Sequence, residues 1–222
     1  SNKTETMGIT LEQLKKILNE RILIIDGAMG TMIQRHKLSE ADFRGEIFKD
    51  HIKDLQGNND LLSLSQPEII KNIHREYFKA GADIVETNTF NANAVSQADY
   101  NTVNYVYDMN LSAAKLAKEA AEEFTKLDPS KPRFVAGALG PTNKMLSLSP
   151  NVNDPGYRAI TLDELSKVYY DQALSLLDGG VDILLVETVY DTLNAKAALF
   201  RIDQLLRDKN ILIPIMIAGT IV

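Results

Sequence analysis

Three apolar runs in this chain of 222 residues end on a carboxyl-bearing residue followed by small or hydroxyl side chains. Ile22-Leu23-Ile24-Ile25 leads into Asp26-Gly27-Ala28-Met29-Gly30-Thr31, and Asp83-Ile84-Val85 leads into Glu86-Thr87-Asn88-Thr89-Phe90. Asp182-Ile183-Leu184-Leu185-Val186 leads into Glu187-Thr188. Polar groups at such junctions can hold a small ligand. In a barrel of alternating strands and helices the C-terminal strand ends share one face, where substrates bind. Residues far apart in sequence are therefore expected to converge on one pocket.

The elements that would position them follow from periodicity and punctuation. Thr10 caps a short amphipathic helix over Leu11 to Leu18. A first strand covers Ile22 to Ile25, and a short helix or turn begins at Met29. His36 to Asn59 reads as a polar, irregular excursion over the top of the domain. Ser65-Gln66-Pro67-Glu68 starts a helix with Ser65 as cap, running to about Lys79 and stopped by Gly81. Further strands are placed at Asp83 to Glu86, Arg133 to Ala136, Asp182 to Val186 and Ile213 to Ile217. Between them run a helix over Val103 to Phe124, a loop over Asn143 to Ile160, a helix after Thr161 that ends at Gly179-Gly180, and a helix capped by Asp191.

Two stretches echo each other. Ala80-Gly81-Ala82-Asp83-Ile84-Val85-Glu86-Thr87 and Gly179-Gly180-Val181-Asp182-Ile183-Leu184-Leu185-Val186-Glu187-Thr188 share a glycine stop, a short turn, an apolar strand and Glu-Thr. Short strands alternating with long helices imply a parallel sheet with right-handed crossovers. A closed barrel needs eight strands and commonly about 250 residues. About five strands are legible here, so the sheet is either open and complete or part of a barrel. An open doubly wound sheet calls for a glycine-rich phosphate turn after the first strand. Gly27-Ala28-Met29-Gly30 matches that weakly, and Asp26 before it would repel phosphate.

Composition sets outer bounds. An apolar fraction of 45% and a charged fraction of 24% are ordinary for a globular protein. The net charge of -6 argues against a nucleic-acid partner. No apolar run approaches a membrane span, and no signal peptide is evident at the N-terminus. The chain contains no cysteine, which excludes disulfides and thiolate-ligated metal within it and fits a cytoplasmic setting.

Several stretches resemble the homocysteine-binding domain of the cobalamin-dependent methionine synthases, a branch of the homocysteine S-methyltransferase family. They are Asp26 to Thr31, Glu86 to Phe90, Gly137-Ala138-Leu139-Gly140-Pro141-Thr142-Asn143, and Glu187-Thr188-Val189-Tyr190-Asp191-Thr192-Leu193-Asn194-Ala195-Lys196-Ala197-Ala198. The last is the most specific to that branch, and Asn59-Asp60-Leu61-Leu62-Ser63-Leu64-Ser65-Gln66-Pro67 is similar to the same branch. The resemblance implies a TIM-type (β/α)8 barrel, here only about its first five strand-helix units, in a single partial domain spanning 1–222. It also implies methyl transfer to homocysteine, giving methionine. In the family three cysteine thiolates hold zinc, and zinc holds the homocysteine sulfur as a thiolate, because a coordinated thiol is deprotonated and nucleophilic. Methylcobalamin on another domain carries the methyl group in this branch, supplied ultimately from 5-methyltetrahydrofolate. This chain has no cysteine, so it is expected to hold the amino-acid half of the site without zinc or cobalamin bound tightly, and to be inactive alone.

By the resemblance, Asp26 and Glu187 accept from the homocysteine ammonium, and the backbone amides of Gly27, Ala28 and Met29 face its carboxylate. Asn88 is a further polar contact, with Glu86 at most a supporting hydrogen bond. The bland alternatives are that Asp26 and Glu187 cap helices and that Asn88 satisfies loop backbone. Gly137 and Gly140 are expected to permit close backbone approach. His36, His51 and His74 lack metal-ligand spacing, and His74 is read as lying on a solvated helix face. Tyr169 and Tyr170 read as packing. The expected partners are L-homocysteine and the cobalamin- and folate-binding domains of a parent enzyme. Unpaired strand edges would favour self-association. The other functional readings are a homocysteine methyltransferase using betaine or S-methylmethionine, and a non-catalytic binding module.

Overall fold

A computed structural model describes residues 9–142, 151–154, 156, 160–188 and 192–219. The helices are α1 (Leu11–Glu20), α2 (Met29–Gln34), α3 (Glu40–Arg44), α4 (Leu62–Ser65), α5 (Pro67–Ala80), α6 (Ala94–Gln97), α7 (Val106–Leu127), α8 (Leu162–Asp178) and α9 (Thr192–Lys209). The strands are β1 (Ile84–Glu86), β2 (Phe134–Leu139), β3 (Ile183–Thr188) and β4 (Ile215–Gly219). They form one parallel sheet in the order β1-β2-β3-β4. A doubly wound sheet reverses its strand order at a switch point. Strictly sequential order with a helix on each crossover is instead the pattern of a (β/α)8 barrel, here in part.

Side-chain alternation gives the sheet two apolar faces. Val85, Val135, Leu139, Leu184 and Val186 point outward into one core with α7, α8 and α9. Helix α7 meets it along Ala114, Ala117, Ala120 and Ala121, which are buried and small enough to let the helix lie close to the strands. Ile84, Ala136, Ile183 and Leu185 point inward, where Ile9 and Leu14 from the start of the chain cover them. Thr10 caps α1 through a box closed by Gln13, so the covering helix is fixed at its start.

The strand expected at Ile22 to Ile25 is reduced to one parallel bridge, Ile25 to Ile84. Carboxylates take over the ladder at both ends. Ile24 N donates to Asp83 Oδ2 at 2.9 Å, and Glu86 N donates to Asp26 Oδ1 at 3.1 Å. The backbone contributes Asp83 N and Ile84 N to Ile24 O (2.8 and 3.1 Å) and Asp26 N to Ile84 O (2.9 Å). The described sheet therefore has four strands and one bridged edge segment, where about five strands were expected.

Other expectations shift for local reasons. Ser65 does not cap α5: its hydroxyl donates back to Leu61 O, and the N-cap is Gln66, with no side-chain cap bond. After α8 it is Gly180, at φ 88°, that turns left-handed, while Gly179 stays helical. The segment from His36 to Asn59 contains α3 and is pinned to it. Glu40 accepts from Leu55 N and Gln56 N, both at 2.6 Å, and Arg44 Nη1 donates to His51 O at 2.6 Å. It buries Phe43, Phe48 and Leu55 against Leu61, Leu62, Ile70 and Ile73 in a second core over the strand ends. His74 is not on a solvated face but fully buried. Tyr169 is buried in the outer core and Tyr170 packs beside it.

Candidate functional site

The two echoed stretches perform the same job twice. At the start of β1, Asp83 takes Ile24 N and the Arg21 guanidinium at 2.6 Å. Just before β3, Asp182 takes Val135 N at 2.8 Å and the Lys118 ammonium at 3.0 Å. Each aspartate ties its strand to the preceding one at the N-terminal end. The glutamates close the C-terminal ends. Asp83 to Glu86 spans three positions and Asp182 to Glu187 spans five. The difference of two preserves the alternation, so both glutamates stand above the inward layer of Ile84, Ile183 and Leu185.

There they meet. Glu86 is hydrogen-bonded to Glu187 through their side chains. Asp26 stands near both, close enough for their charges to raise its pKa. Burial and neighbouring negative charge act together. Asp26 is pushed up to about 8, mainly by desolvation, against the Glu86 N–H that favours its anion. Glu86 is raised to about 7, by desolvation and then by Glu187. Burial also raises Glu187, while the hydrogen bond from Glu86 opposes the rise. Asp26 and Glu86 thus face the same space with Glu187 against Glu86, and among the described residues no cation is paired with them.

That space is a cavity of about 490 Å³. Asp26, Gly27, Ala28, Met29, Glu86 and Asn88 line it. Of the site residues read from the sequence, all but Glu187 contribute to the wall, and Glu187 reaches it through Glu86. Helix capping does not explain Asp26, since the N-cap of α2 is Ala28 and no side chain caps it. Asn88 Nδ2 donates to Asn59 O at 2.8 Å and Ser63 Oγ at 3.4 Å, the loop-satisfying role weighed above. Its Oδ1 is the atom left for a ligand.

Two wall residues were missed as site residues. Glu86 belongs to the carboxyl cluster itself; the repeated Asp-strand-Glu pattern, taken with its parity, could have shown this. Asp60 is buried in the far wall, accepts from Asn91 N at 2.8 Å, and has its pKa raised to about 7 by desolvation. Nothing in its local sequence signals that depth. Thr87, Thr89 and Ala138 belong to the wall and brace one another: the threonine hydroxyls are 2.6 Å apart, Thr89 Oγ1 donates to Ala138 O at 2.6 Å, and Ala138 N donates to Thr87 Oγ1 at 3.0 Å. A Cβ at Gly140 would lie 2.0 Å from Phe90 O, so the two loops touch backbone to backbone there. Of the loop expected over Asn143 to Ile160, residues 143–150, 155 and 157–159 lie outside the described residues, as does Asp191 as a cap.

The residues present do not suit a thiolate-held zinc. The chain has no cysteine, and among the described residues no group of His, Asp or Glu is arranged to hold a metal ion. Nor is any described helix long and apolar enough to cross a membrane.

Comparison with known proteins places this arrangement. The fold is similar to that of the homocysteine methyltransferase MmuM from Escherichia coli in three solved forms. For the metallated form the TM-score is 0.66 at 21% identity, covering 90% of this chain and 64% of that one. For the oxidised form the TM-score is 0.67 at 21% identity, with 91% and 64% covered. For the apo form it is 0.63 at 21% identity, with 94% and 63% covered. The chain thus spans somewhat under two thirds of the proteins whose fold it shares. The sequence model of the homocysteine S-methyltransferase family matches residues 23–222. The chain belongs to the homocysteine S-methyltransferase family.

Proposed function

We propose that this chain is the homocysteine-binding portion of a cobalamin-dependent methionine synthase, and that residues 1–222 form one partial barrel domain. The observation that carries the binding reading is the cluster of Asp26, Glu86 and Glu187 at the C-terminal strand ends, of which Asp26 and Glu86 line one cavity beside Gly27, Ala28 and Met29. An amino acid offers an ammonium to such carboxyls and a carboxylate to backbone amides. The ammonium supplies the missing counter-charge, so the shared protons leave as it binds. Asp26 and Glu187 are its acceptors, the amides of Gly27, Ala28 and Met29 face the carboxylate, and Asn88 Oδ1 is a further acceptor. No step through a metal is assigned to these residues. In the parent enzyme zinc would activate the sulfur, and methylcobalamin would carry the methyl group on another domain.

The stretches Glu187 to Ala198 and Asn59 to Pro67 support the cobalamin-dependent branch. A methyltransferase using betaine or S-methylmethionine shares the same family and fold, and comparing methyl donors on the full gene product separates the two. For the chain itself the test is calorimetric titration with L-homocysteine, with and without zinc. Binding that is unaffected by zinc and lost in Asp26→Asn supports the reading, and no binding refutes it. Self-association belongs to the same proposal. The edge segment exposes Ile22 and Ile24 and the opposite edge strand exposes Ile217, so light scattering should show mass rising with concentration.

A further inference from the structure

On its own edge of the sheet the turn is tied as far as Asp26, by one bridge, by Asp26 N to Ile84 O and by Glu86 N to Asp26 Oδ1, and no ladder continues past it. Beyond that point the turn is held from α5. The Tyr77 hydroxyl donates to Ala28 O at 3.1 Å. A Cβ placed on Gly27 would lie 3.0 Å from that hydroxyl oxygen and 3.3 Å from Cε1 of the same ring. Glycine at position 27 therefore answers to space, since the tyrosine fills the place a side chain would take. Tyr77 packs against both the outer core and the second core over the strand ends, so its ring is fixed independently of the turn. The charged groups facing it are Asp26, Arg35 and Glu76, and burial with the Asp26 charge raises its own pKa.

We propose that Tyr77 is a positioning residue for this site: by seating Ala28 O and occupying the space over Gly27, it sets the aim of the Asp26 carboxyl and of the Gly27 to Met29 amides. The effect on ligand rests on the amino-acid-binding reading above. The effect on the turn does not.

The test uses Tyr77→Phe, Gly27→Ala and the double variant, with two readouts. One is the titration of the Asp26 carboxyl carbon by NMR without ligand. The other is L-homocysteine affinity by calorimetry. Tyr77→Phe removes one hydrogen bond and should weaken homocysteine about fivefold, with the Asp26 titration moving down toward the ordinary carboxylate range. Gly27→Ala should weaken binding further, and adding Tyr77→Phe should recover part of that loss because the hydroxyl is what the new methyl meets. A merely structural contact would lower melting temperature while leaving the Asp26 titration in place and giving no recovery. Wild-type Asp26 titration in both single variants would overturn the proposal. If the unmodified chain binds no homocysteine, the ligand reading fails, and the NMR arm alone still decides the role of Tyr77.

Discussion

Glu86 and Glu187 end strands that do not touch, separated by β2, yet their carboxyls share a hydrogen bond. Two half-buried carboxyls meet in this way when at least one is protonated, since two anions at close range without a cation repel. Asp26 adds a third group from the sheet edge. Among the described residues no cation is paired with this cluster, and the apolar layer beneath it supplies none.

The first prediction concerns pH. Asp26 titrates near 8 and Glu86 near 7 in the unliganded chain. A bound ammonium favours their anions, so binding releases protons and affinity should rise from pH 6 to about 8, by up to about tenfold per unit for each proton released. Calorimetry in two buffers of different ionisation enthalpy reads the release directly, and a buffer-independent heat would contradict it. The sign for stability is opposite. A carboxyl whose folded pKa lies above its unfolded value keeps its proton longer when folded. The contribution of these carboxyls to the stability of the unliganded chain therefore falls as pH rises between about 4 and 8, and Asp26→Asn should remove its share of that slope.

Stability at the other end of the strands should hang on the paired aspartates. Asp182→Ala strands the Lys118 ammonium and Val135 N–H, and should cost about 2–4 kcal/mol in urea unfolding. Asp83→Ala should cost less from its ion pair, because Arg21 is about a third exposed and can return to water. It also frees Ile24 N, and with it the edge segment leading to Asp26. Only the Asp83 variant should weaken homocysteine binding out of proportion to its stability loss. Equal binding losses in the two would contradict this.

Much of this was legible in the residues. Glycine stops, capping boxes and apolar runs located most of the helices and strands, and the strand-end pattern pointed to Asp26 and Glu187 as candidate ligand positions while giving Glu86 no more than a supporting role. The edge segment was misjudged because its ladder is made by the side chains of Asp83 and Asp26, which no β-propensity describes. Ser65 was misjudged because α4 ends on it and claims its hydroxyl. His74 was misjudged because its neighbours Arg75 and Glu76 are polar, while burial depends on which helix packs across that face. Depth at Asp60 and the seat of Tyr77 on the Ala28 carbonyl are likewise products of tertiary packing.

Two glycines in the site motifs should respond in opposite directions. Gly140→Ala drives a methyl into Phe90 O, backbone against backbone, and should cost more than about 4 kcal/mol or prevent folding. Gly30 lies inside α2, and a Cβ there would first meet Asn59 Nδ2 at 3.7 Å, an ordinary contact. Gly30→Ala should stabilise by about 0.5–1 kcal/mol through helix propensity. Thermal unfolding of both variants decides the matter, and a tolerated Gly140→Ala would mean that the two loops do not meet as described.

His74 supplies the last prediction. It is fully buried on α5, and neither ring nitrogen has a hydrogen-bond partner. Burial alone lowers its pKa to about 4 from an ordinary 6.5. The unfolded chain therefore takes up the proton first, so stability falls as pH drops from about 6.5 toward 4 and is unaffected by this group above that window. His74→Leu removes both the titration and two unsatisfied nitrogens, whose desolvation costs about 1–3 kcal/mol each at most. The variant should match or exceed the parent in urea midpoint at pH 7, and exceed it by a wider margin at pH 5. The margin widens because only the parent must keep a neutral imidazole against a rising proton concentration. Identical pH dependence in the two proteins would show that a polar partner, such as a bound water, already satisfies the ring.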